Sequence, residues 1–395
     1  MKNLFVLLFL VAGFAVGQVV SLPLAAGARI TLLDVAVVTV LIVAAVRSTK
    51  KRIIPSLWAP VMAFFGVTLL SLAGTYTDVP LYVTGGGLLY VLRWITYAAL
   101  YWVAVGKFAT ARNWNITLIL AGVIMAIGGL IQYAWYPDLR NLYYLGWDPH
   151  YQRLFGTLFD PNFMGILLTL SLVTMLGWEE KSIKLRLFKA AGITVVLSAL
   201  LLTYSRSSFI AFLTGIILWG ILMHKKMLTG IIIFIMAVSV VALPSTGEGR
   251  NLMRTVSTFA RIGSAERALT LIREKPLLGH GFNLLRYVAA ERSWIDEGSV
   301  PSRAGAGLDT SLLFVGATTG VVGMLVYGWL LVSLVLLGIR AYAHKPLRAQ
   351  GAVFISLIAA IVVHSLFINS LFYPWVMAWM WLAAGALEQE ITVYT

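Results

Sequence analysis

The chain has 395 residues, 60% of them hydrophobic and only 12% charged, with a formal net charge of +14 and a mean hydropathy of +0.88. That apolarity excludes a soluble globular domain, and the absence of cysteine excludes disulfides, thiolate metal sites and cysteine nucleophiles. The architecture is therefore set by bilayer thickness, at about 20 apolar residues per crossing; without the alternation of short strands that marks a membrane barrel, the crossings are helices.

In chain order, apolar runs fall at about 3–20, 29–46, 57–74, 88–105, 115–135, 162–178, 190–204, 208–223, 227–243, 308–339, 350–368 and 373–387. The expectation is an all-α polytopic membrane protein with about twelve transmembrane helices, forming one transmembrane domain over 1–395. The first run has the lysine and apolar stretch of a signal peptide, but no cleavage pattern precedes the second, so it reads as a retained helix. Five basic connectors, RSTKKR (47–52), KFATAR (107–112), EEKSIKLRLFK (179–189), HKK (224–226) and RAYAHKPLR (340–348), each follow an even-numbered run. The positive-inside rule places all five, and both termini, in the cytoplasm. With Lys2 they hold sixteen of the thirty lysines and arginines, so most of the charge is membrane topology and no nucleic-acid partner is expected.

The long connector 244–307 then faces outward, although it carries nine basic residues, including Arg250, Arg254, Arg261, Arg267 and Arg303. Long loops escape the charge rule. Two stretches in it are amphipathic: RIGSAERALTLIREK (261–275), with Ile262, Ala265, Leu269 and Ile272 on one face, and NLLRYVAAERSWI (283–295). Both are expected to lie on the membrane surface, either resting on anionic headgroups or holding a particular anionic ligand.

Within this apolar chain, a few polar residues stand out. Arg206 sits in TYSRSS (203–208), where Tyr204, Ser205 and Ser207 supply further donors suited to phosphate oxygens. The alternative is a plain external turn. Arg93 lies well inside the fourth run and must face a cavity, pair with a carboxylate or bind a ligand. Guanidinium is a planar fork of donors that stays charged, which suits a diphosphate, and several of them at the outer face point to a lipid-linked phosphate. Asp309, at the outer mouth of the tenth run, reads either as a helix cap or as a general base acting on an acceptor hydroxyl. Asp160 and Asn162, in GTLFDPNFMG, share that ambiguity at the start of the sixth run. His280, in GHGF, is a candidate for proton transfer or an ordinary loop residue, and His364 reads as a packing residue. No nucleotide-binding or hydrolase motif occurs, and the five histidines show no paired spacing, so neither a cofactor nor a metal is expected.

Four segments together resemble the O-antigen ligase and polymerase superfamily of bacterial membrane glycosyltransferases: GTLFDPNFMGILLTL (156–170), LLTYSRSSFIAF (201–212), RIGSAERALTLIREKPLLGHGFNLL (261–285) and LDTSLLFVGATTGVVG (308–323). The resemblance covers about residues 60–385. It implies a GT-C-like fold with a large helical extracytoplasmic loop between helices 9 and 10, in the bacterial cytoplasmic (inner) membrane. It implies an inverting, metal-independent glycosyltransferase that moves glycan from a polyprenyl (undecaprenyl) diphosphate carrier to a sugar hydroxyl on a glycan or lipid-glycan acceptor. By position, Arg206 and Arg261 would grip the diphosphate, helped by Arg267 and Arg93. Two departures stand out: Ala265 replaces an expected aromatic residue, and Asp309-Thr310 occupies the place of a His-Asn pair whose histidine is proposed to activate the acceptor in ligases. The second departure favours a polymerase of surface-polysaccharide repeat units, with a chain-length regulator as a candidate partner, over a ligase acting on lipid A core. A lipid or anion transporter (flippase) is the reading of a different class; Asp309→Asn separates it from a transferase.

Overall fold

A chain crossing a bilayer must satisfy its own backbone hydrogen bonds, and all twelve apolar runs fold as helices in the computed structural model. Residues 3–24, 28–47, 54–75, 79–106, 108–178, 182–244, 250–252, 256–295 and 307–394 are described. Lys2, most of RSTKKR, Lys107, residues 179–181, Arg254 and Arg303, all used above in the charge pattern, lie outside them. The helices are α1 (Leu4–Val16), α2 (Leu32–Arg47), α3 (Trp58–Ala73), α4 (Leu81–Val105), α5 (Ala111–Trp135), α6 (Pro161–Leu176), α7 (Ile183–Leu202), α8 (Arg206–Leu222), α9 (Lys226–Ala242), α10 (Val256–Glu274), α11 (Leu285–Glu291), α12 (Ser311–Ala343), α13 (Arg348–Ser365) and α14 (Pro374–Tyr394). Five are long and apolar enough to cross a membrane: α4, α5, α7, α12, and α13 counted from Lys345. Helices α1, α3, α6, α8 and α9 are apolar but shorter.

Three boundaries differ from expectation. The first run stops at Val16, where Gly17 turns the chain at φ 61°; β1 (Ser21–Pro23) and β2 (Arg29–Thr31) then pair antiparallel, Leu22 opposite Ile30. Helix α10 starts at Val256 rather than 261, and α12 starts at Ser311 rather than 308, which leaves Asp309 outside the helix.

Burial follows position in the bundle. Every residue of α6 from Met164 to Met175 is buried, and α14 buries Trp375, Trp379 and Trp381, whereas α9 buries only Thr229 and Met236. Helices buried on all sides carry no amphipathic stripe. Helix α6 contacts α5, α7, α8 and α13. Its approach to α8 is close because Gly165 faces Ser208, where a side chain would collide.

Helix α12 is broken at Gly320, whose φ of 67° and ψ of −168° are not helical. The residues after α10 repair the break. Pro276 and Leu277 carbonyls accept from Val321 N (2.7 Å) and Val322 N (3.4 Å), while His280 N and Gly281 N donate to the Ala317 and Thr318 carbonyls at 3.0 and 3.1 Å. A helix interruption at membrane depth is tolerated where other protein groups satisfy the freed backbone in this way. Gly320→Ala should therefore lower thermal stability by about 1–3 kcal/mol for the positive φ alone, and more because a Cβ there would collide with the Leu277 carbonyl. Gly328→Ala in the same helix, where a Cβ meets nothing within 4 Å, is the control and should leave the melting temperature unchanged.

Candidate functional site

One end of the bundle gathers the N-termini of α6, α8 and α12 with the C-terminal end of α13. Asp160 caps α6, accepting from Asn162 N (2.6 Å) and Phe163 N (3.2 Å), with Pro161 pre-set in the first turn. Ser205 caps α8, and its hydroxyl donates to Asn162 Oδ1 at 2.9 Å, joining the two caps. Ser205 Oγ also lies 3.2 Å from Ser207 Oγ, and His364 Nε2 lies 3.2 Å from Ser207 Oγ and 3.3 Å from Ser208 Oγ. Two residues beyond His364, the Leu366 carbonyl accepts from Thr310 Oγ1 (3.1 Å), the residue before α12. The serines of TYSRSS are thus buried and bonded to one another, Asn162 and His364, which corrects the expectation that they offer donors to a ligand. They form the floor that fixes Arg206 at the first position of α8.

Arg206 is partly buried, and its Nη1 donates to the Leu252 carbonyl at 3.3 Å. Arg261, on α10, is partly buried, with its guanidinium 5.9 Å from the Phe367 ring centroid. Burial lowers its pKa, Asp309 raises it and Arg206 lowers it, so the three charges sense one another. Asp309 shares that neighbourhood: burial raises its pKa, Arg261 and Arg267 lower it, and Asp160 raises it. The side chain of Asp309 makes no cap bond to α12; its backbone N donates instead to Ser264 Oγ of α10 at 3.1 Å, tying the loop helix to the start of α12. Among the described residues no ion pair consumes this carboxylate.

Helix α10 packs on α12 through a face beside its aliphatic stripe. Ser264, Ala268 and Leu271 are buried against α12, while Ile262 and Leu269 are exposed. That packing keeps Arg261 at the site and leaves Arg267 exposed but within reach of Asp309.

Three candidates stand elsewhere. Arg93 is paired with Asp34 of α2, at 3.0 Å from Nε and 3.0 Å from Nη2, which corrects its assignment as a ligand-binding arginine. His280 is buried, with Nε2 3.1 Å from the Leu271 carbonyl and 3.5 Å from Glu274; burial pulls its pKa down, and its backbone serves the α12 repair. Tyr204 is fully buried at φ 50° and donates its hydroxyl to the Pro244 carbonyl (3.1 Å).

The structure adds residues that no motif marks. Buried Arg153 donates from Nε to the Thr203 carbonyl (2.9 Å), holding the α7–α8 turn that presents Arg206. Asp148, His150 and Asp160 bring one ligand atom each within 4.8 Å of one another, a set able to hold a divalent cation or share protons. Burial, with the nearby Asp160 and Asp309 carboxylates adding to it, raises the Asp148 pKa from 3.8 to about 6. A carboxyl whose folded pKa is raised contributes stability below its unfolded pKa and loses it as pH rises through the folded value. Thermal stability should fall between about pH 4 and pH 6, and Asp148→Asn should flatten that slope.

Residues 191–328, about a third of the chain, match a family model described as O-antigen ligase. Over this segment the chain is similar to the O-antigen ligase family. No curated protein sequence matches the chain. The O-antigen ligase segment runs from α7 into α12 and contains Arg206, Arg261, Arg267 and Asp309, whereas Asp148 and Asp160 precede it. The apolar helices and the family match together point to a bacterial membrane protein of glycosyltransferase type, a family whose substrates are lipid-linked glycans in general.

Proposed function

We propose that the protein transfers glycan from a polyprenyl diphosphate carrier to a sugar hydroxyl at the outer face of the cytoplasmic membrane, joining repeat units of a surface polysaccharide. The observation that carries this reading is the meeting of Arg206 and Arg261 with Asp309, a carboxylate in no ion pair among the described residues, at one end of the bundle. In a single displacement, the acceptor oxygen forms a bond to the anomeric carbon as the bond from that carbon to the phosphate oxygen breaks, inverting the centre. The leaving diphosphate takes the electron pair, and Arg206 and Arg261 stabilise its charge together with the positive N-terminal ends of α6 and α8. The acceptor hydroxyl gives its proton to Asp309, whose raised pKa makes it a stronger base than an ordinary carboxylate. In this reading the residues need no metal, both termini are cytoplasmic and twelve helices cross the membrane.

The test is to reconstitute the protein in lipid nanodiscs, supply polyprenyl-diphosphate-linked repeat units and resolve the products by size, with and without a chelator. A ladder of lengthening glycans that persists with chelator supports the proposal. A single transfer to an added lipid-glycan acceptor, with no ladder, supports ligation instead. That second reading is favoured by the description of the matching family as a ligase. Loss of the ladder with chelator would shift attention to Asp148, His150 and Asp160 as a cation site.

A further inference from the structure

At the end of the bundle opposite Arg206 lies a cavity of about 840 Å³, between the beginnings of α5, α7 and α13 and the ends of α6, α8 and α14. Helix α6 runs from one end to the other, and its 16 residues separate the two by about 24 Å. The cavity therefore belongs to neither the arginine cluster nor Asp309.

Its chemistry is divided. Ile119, Leu185, Phe354 and Leu357 supply an apolar wall, and among the described residues Arg112, Lys345 and Arg348 supply cations against the carboxylate of Glu390. Among the described residues none of these three cations is in an ion pair. Arg348 is steadied over the Tyr342 ring, 5.1 Å from its centroid. Helix α13 begins here without a side-chain cap, so its positive end also faces this region. One further atom is unexplained: Gln350 Oε1 is buried with no hydrogen-bond partner and belongs to the cavity lining. A buried acceptor without a donor is costly. A hydroxyl or ammonium group would satisfy that acceptor, as an anion would the cations and an apolar tail the wall. The first turns of α7 leave Ile183, Leu187 and Phe188 exposed, so one wall faces the surrounding lipid.

We propose that this cavity binds an anionic glycerophospholipid from the leaflet at that end of the bundle. The phosphodiester sits among Arg112, Lys345, Arg348 and the start of α13, a headgroup hydroxyl donates to Gln350, and acyl chain lies along Phe354 and Leu357. Phosphatidylglycerol has all three parts. The proposal goes beyond the transferase reading and does not depend on it, because binding can be measured with no glycan present.

The test is native mass spectrometry of the full chain from detergent, titrated separately with phosphatidylglycerol, phosphatidylcholine, diacylglycerol and glycerol 3-phosphate. Phosphatidylglycerol should bind at least about tenfold tighter than the other three. Arg112→Gln/Lys345→Gln/Arg348→Gln should remove that preference, whereas Lys225→Gln/Lys226→Gln, which neutralises exposed cations outside the cavity, should leave it intact. Ile116→Trp, which fills the cavity from its wall without touching a charge, should weaken binding by a similar factor and guards against misfolding of the triple variant. Equal affinity for glycerol 3-phosphate, no discrimination among lipids, or an equal loss in the Lys225/Lys226 variant would each overturn the proposal.

Discussion

Replacing Arg261 with alanine is expected to lower glycan transfer by about 100- to 1,000-fold, the range seen when a preorganised donor to a developing anion is removed. The side chain is partly buried beside Asp309 and Arg206, and it rests against Phe367 rather than in an ion pair among the described residues. Truncation therefore removes charge without opening the core. Arg206→Ala should match it, and the two together should cost less than the product of the separate losses because they act on one anion. Arg261→Lys keeps the charge but loses the planar fork, and should recover only part of the rate. Arg273→Ala, exposed on the same helix, is the control. Turnover and donor affinity measured in nanodiscs decide the matter: if Arg261→Ala and Arg273→Ala behave alike, the clamp is wrong.

Asp309→Asn is expected to cut turnover by about 100- to 10,000-fold while donor affinity is kept, the loss characteristic of a removed general base. Its side chain makes no bond to the α12 N-terminus, so the melting temperature should hardly change. That separates a base from a structural cap, for which stability would fall and turnover would follow it. Asp309→His installs the residue that the ligase pattern carries here. It should retain measurable transfer, with the acid limb of its pH profile moved toward the imidazole range. A flippase would be indifferent to both substitutions, which vesicle-based lipid translocation can show.

Much of the fold was legible because hydropathy is a strong signal at bilayer scale: each apolar run became a helix. What hydropathy does not encode is how helices face one another. Helix α10 shows this. Its periodicity marks a stripe at Ile262, Ala265, Leu269 and Ile272, but not the face of Ser264 and Ala268 that packs on α12 and brings Ser264 to the Asp309 backbone. The same limit governs the site. Arg206, Arg261 and Asp309 stood out as charges in an apolar chain, but so did Arg93, whose partner Asp34 lies 59 residues away and could not be paired from sequence. Asp148 and His150 went unmarked because they belong to an ordinary polar connector, and only the fold sets them against Asp160. The serines around Arg206 were misread for a related reason: exposure is not written in residue type, and those hydroxyls are spent on one another.

The broken helix α12 also constrains the order of biogenesis. Its backbone groups near Gly320 are completed by residues 276–281, made some 40 residues earlier, and by Ser71, whose hydroxyl donates to the Thr318 carbonyl at 2.6 Å across 247 residues of sequence. When α12 leaves the insertion machinery, its partners must already be in place, with the preceding loop folded against them. A chain stalled before the loop has docked would hold an unsatisfied break in lipid, a natural mark for quality-control proteolysis. Apart from Ser71, the groups that complete α12 belong to the loop carrying Arg261, so a chain that passes that inspection has already brought its arginine to the site.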